Sequence, residues 1–190
     1  MEKLRDQDIR EALLDRLTTA YKDEPETRII NELGIDFGAS RVDVAVVNGI
    51  LHGYEIKSES DTLKRLPKQM EYYNRLFERL TIVVDEKYYD EVRESVPQWW
   101  GITLVKNMDG EVKLINKRKG RRQTSQDKEL LLKLLWKDEL EKLIDVLGYP
   151  KNFKRLRKQK LLEIFLADKN IKVIREFVYH SLKTREHWRN

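Results

Sequence analysis

Asp43, Glu55 and Lys57 are the residues whose types and spacing point most directly to chemistry. Each interrupts a short apolar run: Asp43 lies within Val42–Val47, and Glu55 and Lys57 flank Ile56. Charges inside such runs are costly unless they are paired, solvated or metal-bound. Glu55 and Lys57 are two apart, so they project from one face of a strand and Tyr54 and Ile56 from the other. Two carboxylates and a lysine on adjacent strands can hold Mg²⁺ and set an ammonium beside it, because Mg²⁺ takes hard oxygen ligands and keeps waters. Such an ion acidifies bound water and clamps a phosphate, while the ammonium orients water or neutralises developing charge. The same residues also fit an ordinary amphipathic hairpin, with all three on its wet face and an ion pair across it.

These side chains need elements to position them. Residues 8–20 read as a helix, with Ile9, Leu13, Leu14 and Leu17 on one stripe. Short strands follow at 28–33, stopped by Gly34, and at 41–47, where β-branched residues dominate. Asn48-Gly49 marks a hairpin turn, and 50–58 returns. Residues 62–80 show helical spacing from Leu63 to Leu80, with Pro67 at a kink or a start. A strand at 81–84, a helix at 88–95 and a strand at 102–105 complete this part. A helix at 62–80 can cross over and lay 81–84 parallel to the hairpin. The expected fold is therefore α/β, a mixed sheet flanked by helices.

The hairpin supplies a geometric condition. A strict two-residue loop at Asn48-Gly49 places Asp43 opposite Tyr54, on the face away from Glu55. A metal site requires a one-residue slip that sets Asp43 opposite Glu55. A three-residue loop, or a bulge at His52-Gly53, would supply it. The slip is the prediction.

The chain has 190 residues, 40% of them hydrophobic, and no cysteine. Disulfides, thiolate metal sites and cysteine nucleophiles are excluded. No apolar run approaches membrane-spanning length, and the N-terminus lacks a signal-peptide core, so a cytoplasmic protein is expected. The net charge of +5 hides an asymmetry: residues 1–110 carry 16 basic and 22 acidic side chains, and residues 111–190 carry 22 and 11. A basic segment of this kind suits a polyanion, or is simply a solvated helical surface. Residues 116–127 read as a basic linker, and 128–190 as an all-helical tail with helices at 128–147, 156–167 and 171–182. Lys151, Lys154, Arg155, Arg157, Lys158 and Lys160 cluster there and would attach to phosphate without reading sequence. The first tail helix has more than one apolar face, so it must bury against the core, its neighbours, a second copy or a protein partner.

The string Arg41-Val-Asp43, Gly53-Tyr-Glu55-Ile-Lys57-Ser58-Glu59, Asp61-Thr-Leu63, Arg65-Leu66, Gln69 and Tyr73, with Pro97-Gln-Trp99-Trp100-Gly101-Ile102, resembles the PD-(D/E)xK nuclease superfamily. Within it, the string is similar to a small bacterial and phage family. The resemblance covers about residues 9–106; Val42 replaces the motif's proline. It implies a restriction-endonuclease-like sheet over 1–115 and a Mg²⁺- or Mn²⁺-dependent DNA nuclease. By it, Asp43 and Glu55 are metal ligands and Lys57 the catalytic lysine. Glu32 is the candidate additional acid, with Glu11 as its rival. Gln69 and Tyr73 match a Gln-x-x-x-Tyr pattern and share a helix face, and Arg65 either reaches phosphate or pairs with Glu59 or Asp61. The alternative is a catalytically silent nucleic-acid- or protein-binding module, a phage or host-defence factor.

Overall fold

A computed structural model describes residues 4–108, 111–186 and 188. One six-stranded mixed sheet, in the order β1-β2-β3-β4-β5-β6, organises the chain. Helix α1 (Asp6–Ala20) precedes β1 (Arg28–Ile35), β2 (Ser40–Val47) and β3 (Leu51–Lys57), which form the antiparallel meander. Helix α2 (Leu66–Leu76) crosses over to β4 (Arg79–Asp85), parallel to β3. Helix α3 (Tyr89–Ser95) leads to β5 (Gly101–Met108), parallel to β4, and β6 (Glu111–Arg118) pairs antiparallel at the edge. Four helices follow: α4 (Lys128–Lys133), α5 (Lys137–Val146), α6 (Lys158–Ala167) and α7 (Ile171–Thr184). Among the described residues no helix is long and apolar enough to cross a membrane.

Strand alternation divides the core. Ile9, Leu13 and Leu17 of α1 pack with Val44, Val46, Tyr54, Ile56, Val83 and Val105 on one face of the sheet. The opposite face carries Ala45, Val47, Leu51, Ile82 and Val84 and is covered by α2, α3 and the tail helices in one continuous cluster. The tail's apolar faces are thus used within the chain.

Four elements differ from the sequence expectation. The helix expected to run to residue 80 ends at Leu76. Phe77 is extended and wholly buried, and the Glu78 N–H donates to Leu51 O at 3.0 Å, so the chain has already joined the sheet. Apolar spacing persisted through Phe77 and Leu80 because both elements bury into one core. Pro67 lies in the first turn of α2, where its missing N–H costs no helical bond. Strand β6 overlaps the expected linker: only Val112 and Leu114 pack against the α1 side, and its lysines shield an edge, so it reads as polar. Residues 119–127 are not a loose arm. Arg121 N–H donates to Trp99 O at 2.8 Å, Gln123 N–H to Glu78 O at 2.7 Å and Asp127 N–H to Arg75 O at 2.7 Å.

The expected 128–147 helix breaks at Leu134-Leu135-Trp136. Asp127 caps α4 by accepting from Glu129 and Leu130 N–H, and Glu139 caps α5 by accepting from Trp136 N–H. The break lets Leu130, Leu131 and Leu132, three consecutive residues, all be buried.

Candidate active site

The predicted slip is present. Val47 pairs with Leu51, leaving a three-residue loop, Asn48-Gly49-Ile50, in which Gly49 has φ +65°. The register runs on to Val44 opposite Tyr54, which puts Asp43 and Glu55 on the same face. No bulge is needed at Gly53. A Cβ there would meet Leu80 Cδ2 at 2.8 Å and Phe77 Cδ1 at 3.1 Å, so glycine is required by close packing instead.

Asp43 stands where β2 and β3 part. Its Oδ2 accepts the Ile56 N–H at 2.7 Å, so a side chain closes the ladder. Arg10 of α1 donates to Asp43 Oδ1 at 2.8 Å and to Asp43 O at 2.9 Å, and is itself held by Asp6 at 3.1 Å. Glu55 and Lys57 are not on a wet face: they are 2% and 3% exposed, with Lys57 Nζ 2.6 Å from Glu55 Oε1. Gln69 of α2 donates to the same Oε1 at 2.6 Å, and its own Oε1 accepts from Lys57 at 3.2 Å. One helical turn on, the Tyr73 hydroxyl contacts Glu55 Oε2 at 2.7 Å and the Arg41 carbonyl.

That hydroxyl has one proton for two acceptors. Were Glu55 protonated, its carboxyl could donate to the Tyr73 oxygen and leave Tyr73 to donate to Arg41 O. Burial, with the nearby Asp43 charge, raises the Glu55 carboxyl from its ordinary 4.5 to about 7, against the opposing pull of Lys57 and Tyr73. A carboxyl raised on folding contributes stability that is fully present below the unfolded value and lost as pH rises through the folded one. In EDTA, from about pH 5 to about pH 8, the native protein should lose thermal stability relative to Glu55→Gln, whose amide does not titrate. Melting temperatures that stay parallel across that range would show that Glu55 ionises normally.

The site opens on a cleft of about 680 Å³. Asp43, Glu55, Lys57 and Gln69 line it with Arg10, Arg41, Lys64, Arg65 and Lys68. Lys64, Arg65 and Lys68 are exposed, and no ion pair engages them among the described residues. Arg65 therefore pairs with neither Glu59 nor Asp61. Asp61 is occupied by Ser58, accepting from its N–H at 2.8 Å and its hydroxyl at 2.6 Å, which ends β3.

The candidate additional acids are elsewhere. Glu32 lies level with Asp43 in the β1–β2 register, but its φ of +54° interrupts the ladder. Its half-exposed carboxylate turns to Arg41 at 2.7 Å and does not line the cleft. Glu11 is exposed on α1 and accepts from Gln7. Besides Asp61, which Ser58 engages, the further acid that lines the cleft is Asp6, accompanied by Arg10. Sequence reasoning missed both, although they are four apart on the first helix and share a face. Among the described residues no three His, Asp or Glu side chains cluster as a metal site. Asp43 and Glu55 on one face are hard oxygen donors of the kind Mg²⁺ takes, although protein donors already engage all four of their oxygens.

The tail's basic cluster is partly consumed. Lys154 pairs with Asp145 at 2.6 Å, Lys158 donates to Leu135 O at 2.8 Å and Lys160 pairs with Glu163 at 3.0 Å, leaving Lys151, Arg155 and Arg157 exposed. Trp100 is core, donating to Asn74 at 2.8 Å. His52 is structural, bonded to Thr81 and Tyr54, with burial lowering it to about 3.

A solved structure of a protein of unknown function from Silicibacter pomeroyi is similar at a TM-score of 0.45 and 17% identity. It covers 77% of this chain and 93% of its own, a likeness too loose to argue from. Protein cII of Enterobacteria phage P4 is 34% identical over 188 residues, spanning 98% of this chain and 69% of that protein. The family model described as Bacteriophage P4 protein cII matches residues 1–190. The chain belongs to the phage P4 cII protein family.

Proposed function

We propose that this protein is a metal-dependent DNA nuclease of the PD-(D/E)xK type that hydrolyses phosphodiester bonds. The observation that carries this reading is the convergence of Asp43, Glu55 and Lys57 on one face, open to a cleft lined also by Lys64, Arg65 and Lys68, which no ion pair engages among the described residues. Asp43 and Glu55 are the residues that would hold Mg²⁺ or Mn²⁺, which would supply an activated water and offset phosphate charge. Lys57 is placed to stabilise negative charge developing on the phosphate. Gln69 and Tyr73 hold Glu55 in place from one face of α2. Arg10 must give up Asp43 Oδ1 when a cation arrives and can then turn to phosphate.

Arg41, Lys64, Arg65 and Lys68 fit the role of the backbone grip, in place of the tail cluster. A triple alanine variant at Lys64, Arg65 and Lys68 should reduce the slope of log affinity against log salt by about 2 to 3, since each phosphate contact contributes roughly 0.7–0.9. Alanines at Lys154, Arg155 and Arg157 should change it less. Fluorescence anisotropy across a salt series measures both, and an unchanged slope in the first variant would remove the cleft from the DNA path.

The second reading, a silent binding module, is favoured by the Arg10–Asp43 pair, which satisfies the carboxylate without metal. Plasmid, linear duplex, single-stranded and branched DNA incubated with Mg²⁺ or Mn²⁺ separate the two. Metal-dependent nicking or degradation supports the nuclease. DNA binding with no cleavage of any substrate supports the module.

A further inference from the structure

Phe37 is 62% exposed at the end of the sheet that carries the site, an unfavourable place for a large apolar side chain. Its backbone is unfavourable too: Asp36, Phe37 and Gly38 are consecutively left-handed, with φ of +48°, +55° and +91°, and two of the three are not glycine. Such strain persists only where surrounding contacts impose it, and it concentrates at binding sites. Here those contacts come from the tail. Lys133 of α4 pairs with Asp36 and with Glu129, each at 2.7 Å, Lys158 donates to Leu135 O, and their ammonium groups lie 5.6 and 4.8 Å from the Phe37 ring centre. The next three residues, Gly38, Ala39 and Ser40, line the cleft, and Asp43 follows three further on.

An exposed aromatic ring among lysines, at the rim of a cationic cleft, is the composition that binds single-stranded nucleic acid. Bases stack on the ring and phosphates meet the positive charge. A base paired within a duplex keeps its faces covered by its neighbours and cannot use such a platform. We propose that Phe37 is a stacking platform for an unpaired nucleobase of the strand whose backbone enters the cleft, which makes single-stranded or locally opened DNA the preferred ligand. This rests on DNA being the ligand of the cleft, but not on cleavage.

The test is equilibrium binding of the full chain in EDTA, so that no cleavage competes. The probes are a labelled single-stranded oligonucleotide, the same length of abasic backbone, and a duplex. The native protein should bind the base-bearing strand at least about fivefold more tightly than the abasic one, and Phe37→Ala should lower that affinity by about 5- to 150-fold, the range for losing one stacked base. Phe37→Ala should bind the abasic strand as the native protein does, and Phe37→Tyr should retain tight binding. Equal affinity of the native protein and a Phe37→Ala variant of native melting temperature for the base-bearing strand overturns the proposal, as does equal binding of base-bearing and abasic strands. Should Phe37→Ala melt lower, Phe37→Tyr and Phe37→Leu decide: the leucine variant must lose the preference for bases that the tyrosine variant keeps. Binding of no DNA in EDTA overturns this proposal, while the nuclease is decided separately by cleavage with Mg²⁺ or Mn²⁺. Phe37-dependent binding without metal-dependent cleavage leaves this proposal standing and overturns only the nuclease.

Discussion

Lys57→Ala should cut single-turnover cleavage of DNA by about 10²- to 10³-fold, the usual effect of removing one preorganised charge from a transition state. Substrate binding should change far less, because Lys57 is 3% exposed and reaches the cleft only at its ammonium end. The substitution has a second consequence. Lys57 pulls the Glu55 carboxyl down against burial, so its loss leaves Glu55 protonated to higher pH. Residual activity should therefore show an optimum displaced to alkaline pH, a signature that simple misfolding does not produce. Lys57→Arg should not rescue: the larger planar guanidinium has no room between Glu55 Oε1 and Gln69 Oε1. Asp43→Ala should abolish cleavage, and it also removes the acceptor of the Ile56 N–H. Cleavage at the native rate in both Lys57→Ala and Asp43→Ala places the activity elsewhere.

Glu78→Ala should be the most destabilising single change outside the site. Glu78 is 1% exposed. Its Oε2 accepts from the Tyr179 hydroxyl of α7 at 2.6 Å and from Leu51 N–H at 3.2 Å. Its Oε1 accepts from Arg122 at 2.6 Å. One carboxylate thus ties the start of β3, the 119–127 segment and the last helix together. Without it the Tyr179 hydroxyl and the Leu51 N–H lose a buried acceptor, at about 1–3 kcal/mol each. For a chain of this size that lowers the melting temperature by roughly 4–24 °C. Arg122→Ala should destabilise too, because it leaves the buried Glu78 carboxylate without its cation while the Tyr179 and Leu51 bonds to it remain. A Glu78→Ala melting temperature within about 2 °C of native would show that the tail docks through its apolar faces alone.

The sheet and the acid–lysine trio were legible because both depend on short-range pattern. Alternation at Val42–Val47 and β-branched runs specify strands, and a spacing of two puts Glu55 and Lys57 on one face wherever the strand goes. Even the hairpin slip followed from requiring Asp43 and Glu55 to share that face. The end of α2 was not legible, since Phe77 and Leu80 continue a helical spacing while obeying a different element. Nor was β6, whose edge position leaves few apolar residues to betray it.

What the amino-acid sequence determined by itself was the inventory: a pair of carboxylates with a lysine, no cysteine chemistry, and an excess of cations toward the C-terminus. The tertiary structure decided which of these meet. Arg10 reaches Asp43 across 33 positions. Glu32, level with Asp43, turns outward to Arg41 because its own backbone is left-handed. The cations that line the cleft come from α1, β2, β3 and the residues in and just before the first turn of α2, while several tail lysines are spent on local carboxylates and carbonyls. The reason is one of range. Side-chain direction along a strand is set by its neighbours in the chain. A partner for a charge is set by which distant element packs beside it, and that is chosen by burial of the whole apolar surface, to which the charges contribute little.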